Sequence, residues 1–292
     1  MGPIQHDATK FNPNNLPMQL AARYERVVGA SLARVWENVL DWEHLPHLHH
    51  SSFSSLELED AGNWGWRALT KGQPADKAPE TRIELAVDRQ NSRYVSRTLE
   101  GGLPGMEIWT ALSAQGDRKT AIQVDFHIPH LSEQDTKKLG PYMMALYTNL
   151  WDEDERMMQE RQIALDTRSK ARAREALDLG PTIDLKARLP LTLTWGDHKV
   201  HVAEIDGKAH AFHAECPHLL APLDEAHLGT DGIITCPWHG YRFDVRTGTS
   251  ADGKSLQMKH CFELQTEENG HTYLRQTKKG PAQKCEDPSS LR

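Results

Sequence analysis

The sequence contains no run of eighteen or more apolar residues, so a membrane-spanning helix of ordinary length is excluded from the expected fold. Residues 1–20 are polar and studded with proline and lack the apolar centre of a signal peptide, which leads us to expect a cytoplasmic protein. An excess of basic charge is missing as well. Lys+Arg total 34 against 41 Asp+Glu, the net charge is -7 and the pI is near 6.1, whereas a nucleic-acid partner calls for a basic footprint. No G-x-G-x-x-G fingerprint is present, so the chain carries no dinucleotide site of that kind. Cysteine is scarce, at four residues. What remains is a chain of 292 residues with 38% hydrophobic content, enough for two ordinary globular cores.

Two of the four cysteines stand in a distinctive arrangement. Cys216-Pro217-His218 is followed, after seventeen residues, by Cys236-Pro237-Trp238-His239-Gly240. Each short stretch offers one thiol and one imidazole. A Cys2His2 zinc site usually takes its cysteines from one knuckle and its histidines from one helix, and here each knuckle gives one of each. Two thiolates on one iron and two imidazoles on the other make the ligand set of a [2Fe-2S] centre in which histidine replaces cysteine on one metal. The C-x-H and C-x-x-H spacings, Pro217 and Pro237, and the continuation Tyr241-Arg242-Phe243-Asp244 resemble the Rieske family closely. The resemblance makes Cys216, His218, Cys236 and His239 the cluster ligands. Respiratory members add a disulfide through a cysteine in each loop; the matching positions here are Ala221 and Trp238, which implies the lower-potential, soluble kind. Cys261 and Cys285 are expected to remain thiols.

Along the chain, residues 1–20 read as a flexible arm. A strand-like run from Ala21 to Val28 precedes Ser31, a helix N-cap, and a helix from Leu32 to about Leu45, where Pro46 is expected to break it. Six strand candidates follow: Phe53 to Leu58, Trp64 to Thr70, Thr81 to Val87, Arg93 to Leu99, Met106 to Leu112 and Ala121 to Ile128. Turn residues such as Gly62-Asn63 and Gly116-Asp117 separate them. A long helix is predicted from about Pro141 to beyond Leu165. This order resembles the helix-grip fold of the START or Bet v 1-like superfamily, in which a curved antiparallel sheet wraps the last helix around an apolar pocket. The expected class is therefore α+β. A helix-grip domain at 21–168 is followed by a linker at 169–182, a small all-β Rieske domain at 183–277 and a polar tail at 278–292. Lys170, Arg172 and Arg174 in the linker read as a solvated helix face.

A second cluster of metal-capable residues lies early in the chain: Glu37, Asp41, His44, His47, His49 and His50. On a helix, Leu32, Val35, Trp36 and Val39 form the apolar face, with Glu37, Asp41 and His44 on roughly the opposite side. Four histidines within seven residues beside a proline suit a transition metal better than a plain solvent face. In the late helix, Met143, Leu146, Tyr147, Leu150, Met157, Met158 and Leu165 form one stripe, and Asp154 falls near its centre. Periodicity leaves two readings of Asp154 open, a metal ligand or a buried carboxylate paired with an arginine such as Arg67 or Arg97.

The spacing Glu37, Asp41, His44, His49 and the late Trp151-Asp152-Glu153-Asp154 resemble the catalytic domain of Rieske non-heme iron oxygenases, with the pattern E-x3-D-x2-H-x4-H plus a late-helix aspartate. That resemblance implies a mononuclear Fe(II) held by His44, His49 and Asp154 as a facial triad with open positions. His47 and His50 stand in reserve, and Glu155 is the alternative carboxylate. It also gives Asp41 the role of a hydrogen-bonded bridge between an iron-ligand histidine and a Rieske histidine. The function so implied is that of an oxygenase component. It takes electrons from a separate reductase or ferredoxin and inserts oxygen from O2 into a small apolar or aromatic substrate, by hydroxylation or oxidative demethylation, in a homo-oligomer, commonly a trimer. Trp109, Met106, Phe126, Met143, Leu146 and Leu150 are the pocket candidates. The domain order is the reverse of most oxygenases, and Leu219-Leu220 replaces the usual Arg-Gly after the first histidine, as in Rieske ferredoxins. The alternative is a Rieske electron-transfer or ligand-sensing protein whose helix-grip half binds a hydrophobic ligand without catalytic iron.

Overall fold

A computed structural model describes residues 8–167, 176–196, 198–258 and 262–277. The chain divides into two compact units, Met1–Gln159 and Glu160–Arg292.

The first unit is built on seven antiparallel strands: β1 (Met18–Val28), β2 (Phe53–Gly62), β3 (Gly65–Gly72), β4 (Glu80–Asp88), β5 (Arg93–Glu100), β6 (Glu107–Gly116) and β7 (Lys119–Pro129). Their spatial order is β1-β7-β6-β5-β4-β3-β2, so the first strand closes against the last and the others form a meander. Burial alternates most regularly in the last strand. In β7, Thr120, Ile122, Val124, Phe126 and Ile128 all point inward. Helices α1 (Leu32–Leu40) and α2 (Leu45–Leu48) connect β1 to β2, and α3 (Glu133–Thr167) follows β7. Val35, Trp36 and Val39 of α1 join Met143, Trp151 and Met158 of α3 and the inward faces of the strands in one core. This is the helix-grip arrangement.

Three boundaries differ from expectation, each for a local reason. The predicted helix from Leu32 to Leu45 ends instead at Leu40, and Asp41 leaves the helical region (φ -87°, ψ 84°). The Trp66 indole N–H occupies the Val39 carbonyl at the helix end, at 3.1 Å. Pro46 does not break a helix but lies in the first turn of α2, where a missing N–H costs no hydrogen bond. The long helix starts eight residues before Pro141, since the Ser132 hydroxyl accepts from Asp135 N and starts the first turn. Pro141 sits inside that helix, and at Gly140 an added Cβ would lie 2.8 Å from the Ala21 carbonyl oxygen, so the helix approaches β1 closely there. Finally, the described part of the expected arm is pinned. Phe11 packs edge-on against His127, Asn12 N donates to Glu107 at 3.1 Å, and β1 begins at Met18.

Among the described residues, the second unit contains three small sheets. Strands β9 (Leu191–Trp195), β10 (His198–Ile205) and β11 (Lys208–His213) form one. Strands β12 (Ile233–Thr235) and β13 (Arg242–Asp244) form a ribbon, and β14 (Phe262–Thr266) and β15 (His271–Gln276) pair with β8 (Ala176–Pro181). Thus residues 176–181, expected within a linker, are a strand. Leu177 and Leu179 alternate inward, Leu179 is buried, and Asp178 receives the His271 imidazole at 2.9 Å. A single helical turn, α4 (Thr182–Leu185), leads on to β9. Lys170, Arg172, Arg174, Cys261, Cys285 and the tail from 278 lie outside the described residues.

Candidate metal centres

In the second unit, the two Cys-plus-His stretches form loops of matching backbone design. Cys216 N donates to Ala221 O and Leu220 N to Cys216 O; likewise Cys236 N donates to Tyr241 O and Gly240 N to Cys236 O. The fourth residue after each cysteine takes a left-handed conformation, Leu220 at φ 69° and Gly240 at φ 66°. The second loop bridges β12 and β13. These paired turns bring the four expected ligands together. Cys216 and Cys236 are buried and in hydrogen-bonding contact, and the His218 and His239 rings lie 4.5 Å apart at 80°. Backbone N–H groups of His218 and Leu219 point at the Cys216 sulfur, and that of His239 at the Cys236 sulfur. The hydrogen bond from Cys216, assisted by His239, holds the Cys236 thiol well below the usual thiol range; donating to Cys236, together with burial, raises Cys216. Amides aimed at two sulfurs, with two imidazoles alongside, suit a [2Fe-2S] cluster bound by thiolates on one side and imidazoles on the other.

Residues 175–263 match the family model described as the Rieske [2Fe-2S] domain. This part of the chain is a Rieske domain. Over 86 residues, 30% of the chain, it is 37% identical to human apoptosis-inducing factor 3. Over 72 residues, 25% of the chain, it is 38% identical to the ferredoxin component of the alkene monooxygenase system of Xanthobacter autotrophicus. The chain spans only 14% and 58% of the lengths of these two relatives. Among solved structures, a norcoclaurine synthase of Thalictrum flavum matches 51% of the chain and 98% of its own length, at 18% identity and a TM-score of 0.42. Within the Rieske domain His218 and His239 both lean on Tyr241, at 4.9 and 5.8 Å between ring centroids, and the Lys254 ammonium lies 3.8 Å from the centre of that ring.

In the first unit, the break after α1 sets up a second group. A 3-10 turn at Trp42–His44 and the short α2 turn His44 and His49 inward, leaving them 4% and 1% exposed. From α3, Asp154 reaches between them. Its Oδ1 lies 3.5 Å from His44 Nε2 and 3.1 Å from His49 Nε2, and one ligand atom from each of the three falls within 4.8 Å of the others. With metal–ligand bonds of roughly 2.1 Å at about 90°, neighbouring donor atoms stand about 3 Å apart, so small side-chain adjustments would suit a metal ion.

Charges around the group reinforce one another. Burial works against ionised Asp154, yet the His49 hydrogen bond and charge, the His44 charge and the Asn38 amide together hold it below the usual carboxylate range. Burial likewise opposes a charged His49, and the hydrogen bonds and charges of Asp154 and Glu153 outweigh it, raising His49. Glu153 Oε2 sits 2.6 Å from His49 Nδ1, and Asp41 Oδ2 lies 3.7 Å from His44 Nδ1. Asn38 Nδ2 donates to Asp154 Oδ1 at 2.9 Å.

Several expected residues have other occupations. Glu155 receives Arg26 at 2.5 Å and Gly29 N at 2.6 Å, which turns it away from the triad. Glu37 pairs with Arg34, and His47 and His50 face solvent. Arg67 and Arg97, the candidate partners of a buried Asp154, are engaged by Glu59 and Asp60 and by Glu107. Of the pocket candidates, Leu150 lines the cavity beside the triad; Phe126 and Met143 are core, and Trp109 stacks near Arg93, Arg97 and Phe11. The cavity has a volume of about 140 Å³; its apolar wall is Val39, Leu45, Phe53, Trp66, Ile83, Leu85, Leu150 and Trp151, and its polar members are the triad itself with Asn38, Asp41, Tyr94, Ser96 and Tyr147. Asn38 and Glu153 were missed as parts of the site. Asn38 carried a signal, since an amide three residues from Val35 on the buried face of α1 is as costly there as a carboxylate unless paired.

Proposed function

We propose that the chain is an oxygenase component in which the Rieske domain delivers electrons to a mononuclear iron held by His44, His49 and Asp154. The observation that supports this reading is the buried convergence of two imidazoles and one carboxylate on the wall of a cavity whose other side chains are largely apolar. When bound, Fe(II) in such a set supplies open positions at which O2 and substrate can meet, with electrons furnished singly by the cluster. The protein's own residues do the rest. Glu153 fixes the His49 ring by holding Nδ1, leaving Nε2 toward Asp154. Asn38 orients Asp154 by donating to Oδ1. Asp41 stands on the Nδ1 side of His44, where the bridging role toward a Rieske histidine requires a carboxylate. The apolar part of the cavity wall limits the water that can reach the centre.

A reductase or ferredoxin is the electron donor in this reading, the substrate is small and apolar or aromatic, and the site of action is the cytoplasm. In a trimer, one protomer's cluster serves its partner's iron. Mixing Asp154→Ala with His239→Ala chains then restores activity in mixed oligomers, whereas two inactive variants that never complement place the transfer within one chain. The likeness to a ferredoxin component favours the second reading, electron transfer with no catalytic iron. Metal analysis separates the two. About three irons per chain and O2 uptake on reduction support the oxygenase, and two irons with no O2 uptake sink it.

A further inference from the structure

The cavity beside the triad is unusual in its polar members. Tyr94 and Tyr147 lie deep in the unit and yet keep accessible surface, which is the surface of the cavity they line. Burial, with the nearby Asp154 charge adding to it, raises both phenols above their ordinary value, so they stay protonated across the neutral range. The Tyr94 oxygen has the Thr110 hydroxyl as a neighbour. Tyr147 is held by its ring, edge-on to Phe126 at 4.6 Å, and its hydroxyl makes no hydrogen bond to a described residue. Buried phenols normally find a partner. Here the space in front of them is the cavity.

Volume sets the second constraint. An apolar cavity of roughly 150 Å³ takes up a single benzene, and this one, partly open and with polar groups on one wall, measures about 140 Å³. On the inner side a fused second ring meets the buried Trp66 and Leu85, and forcing extra carbons into a packed wall costs affinity.

We propose that this cavity binds a neutral molecule no larger than a single six-membered ring, its carbon skeleton against Val39, Leu85 and Leu150 and one hydrogen-bond acceptor turned to the Tyr94 and Tyr147 phenols. The inference deepens the oxygenase reading by naming its substrate class, and rests on it only for what becomes of the ligand once bound.

Calorimetric titration of the full chain, kept anaerobic to prevent turnover, with phenol, benzene and 1-naphthol tests it. Phenol is expected to bind saturably at one per chain and 1-naphthol at least about tenfold more weakly. Tyr147→Phe removes only a hydroxyl, and should weaken phenol about fivefold while leaving benzene unchanged. If 1-naphthol binds as tightly as phenol, if Tyr147→Phe weakens phenol and benzene alike, or if neither single ring saturates, the assignment is overturned. Saturable phenol binding in a chain with two irons upholds the ligand class while the oxygenase reading fails; three irons with no ring bound does the reverse.

Discussion

The Glu153 carboxylate gives a graded test of the triad. Glu153→Gln keeps the length of the side chain and an acceptor for His49 Nδ1, and removes only the charge. The contact is 2.6 Å, with His49 2% and Glu153 22% exposed at the side chain. Hydrogen bonds to charged groups are worth about 1.5–3 kcal/mol and neutral ones about 0.5–1.5 kcal/mol, a difference near 1 kcal/mol at the cautious end. Partial exposure of Glu153 argues for that end. The expected loss in metal affinity is therefore about fivefold for Glu153→Gln, and about 10- to 100-fold for Glu153→Ala, which removes the orienting partner altogether. The assay is an anaerobic Co(II) titration against a competing chelator, with the reduced-cluster EPR signal of the same sample as an internal control. Equal affinity in all three proteins would show that Glu153 does not orient His49. Loss of the cluster signal along with the metal would assign the effect to misfolding and refute the local argument.

Three further outcomes are expected. Cys236→Ser should abolish the visible absorption of the cluster and lower the iron content by about two per chain while leaving Co(II) binding at the triad intact; retained colour would contradict the ligand assignment. Leu220→Gly relieves about 1 kcal/mol of left-handed strain but deletes a buried leucine worth about 2–5 kcal/mol, so denaturant titration should show a net loss of about 1–4 kcal/mol, and a gain would mean that the leucine is not held by packing. Asp88, whose carboxylate is held low first by the Asn91 side chain and then by Asn91 N and Arg93, caps the turn between β4 and β5. Its contribution is present above the unfolded value of 3.8 and is lost as pH falls through the lower folded value. Asp88→Ala should therefore cost about 1 kcal/mol at neutral pH, and the gap to the parent should close in acid; a constant gap would disprove the linkage.

The strands of the first unit were legible because turn residues separate them, and β7 also buries every second side chain from Thr120 to Ile128. The convergence of the four expected cluster ligands was legible because their spacing is local and each loop is closed by its own backbone hydrogen bonds. Periodicity failed where regular structure failed. A helical wheel drawn through His44 places it with Glu37 on the solvent side, but the chain leaves the helix at Asp41 and turns His44 inward. Glu153 and Asn38 escaped notice because their partners are more than 100 residues away in sequence, and no local pattern encodes that meeting. The strand at 176–181 was hidden by the charged stretch before it, although Leu177 and Leu179 carried the alternation.

The acidic run at 152–155 shows how a stretch that resembles a solvated face can be built into a centre. Arg26 takes Asp152 and Glu155, which face β1 together, and leaves Glu153 and Asp154 for the two histidines. With Asp41, three carboxylates then surround two buried imidazoles. Two of those negative charges can be offset by protonating both rings or by one divalent cation between two neutral rings. The first choice sets two like charges about 5 Å apart, their ring centroids being 5.0 Å from each other. Their mutual repulsion is about 3 kcal/mol at an effective dielectric constant near 20. A divalent cation supplies the same two positive charges at one point, between ligand atoms already turned toward it, and avoids that repulsion. On this reasoning Asp154→Asn, which removes one carboxylate and keeps the shape, should weaken Co(II) binding more than Glu153→Gln does, because it subtracts a ligand charge rather than an orienting one. The reverse order in the same chelator titration would mean that the carboxylate of Asp154 is there for the histidines and not for a metal.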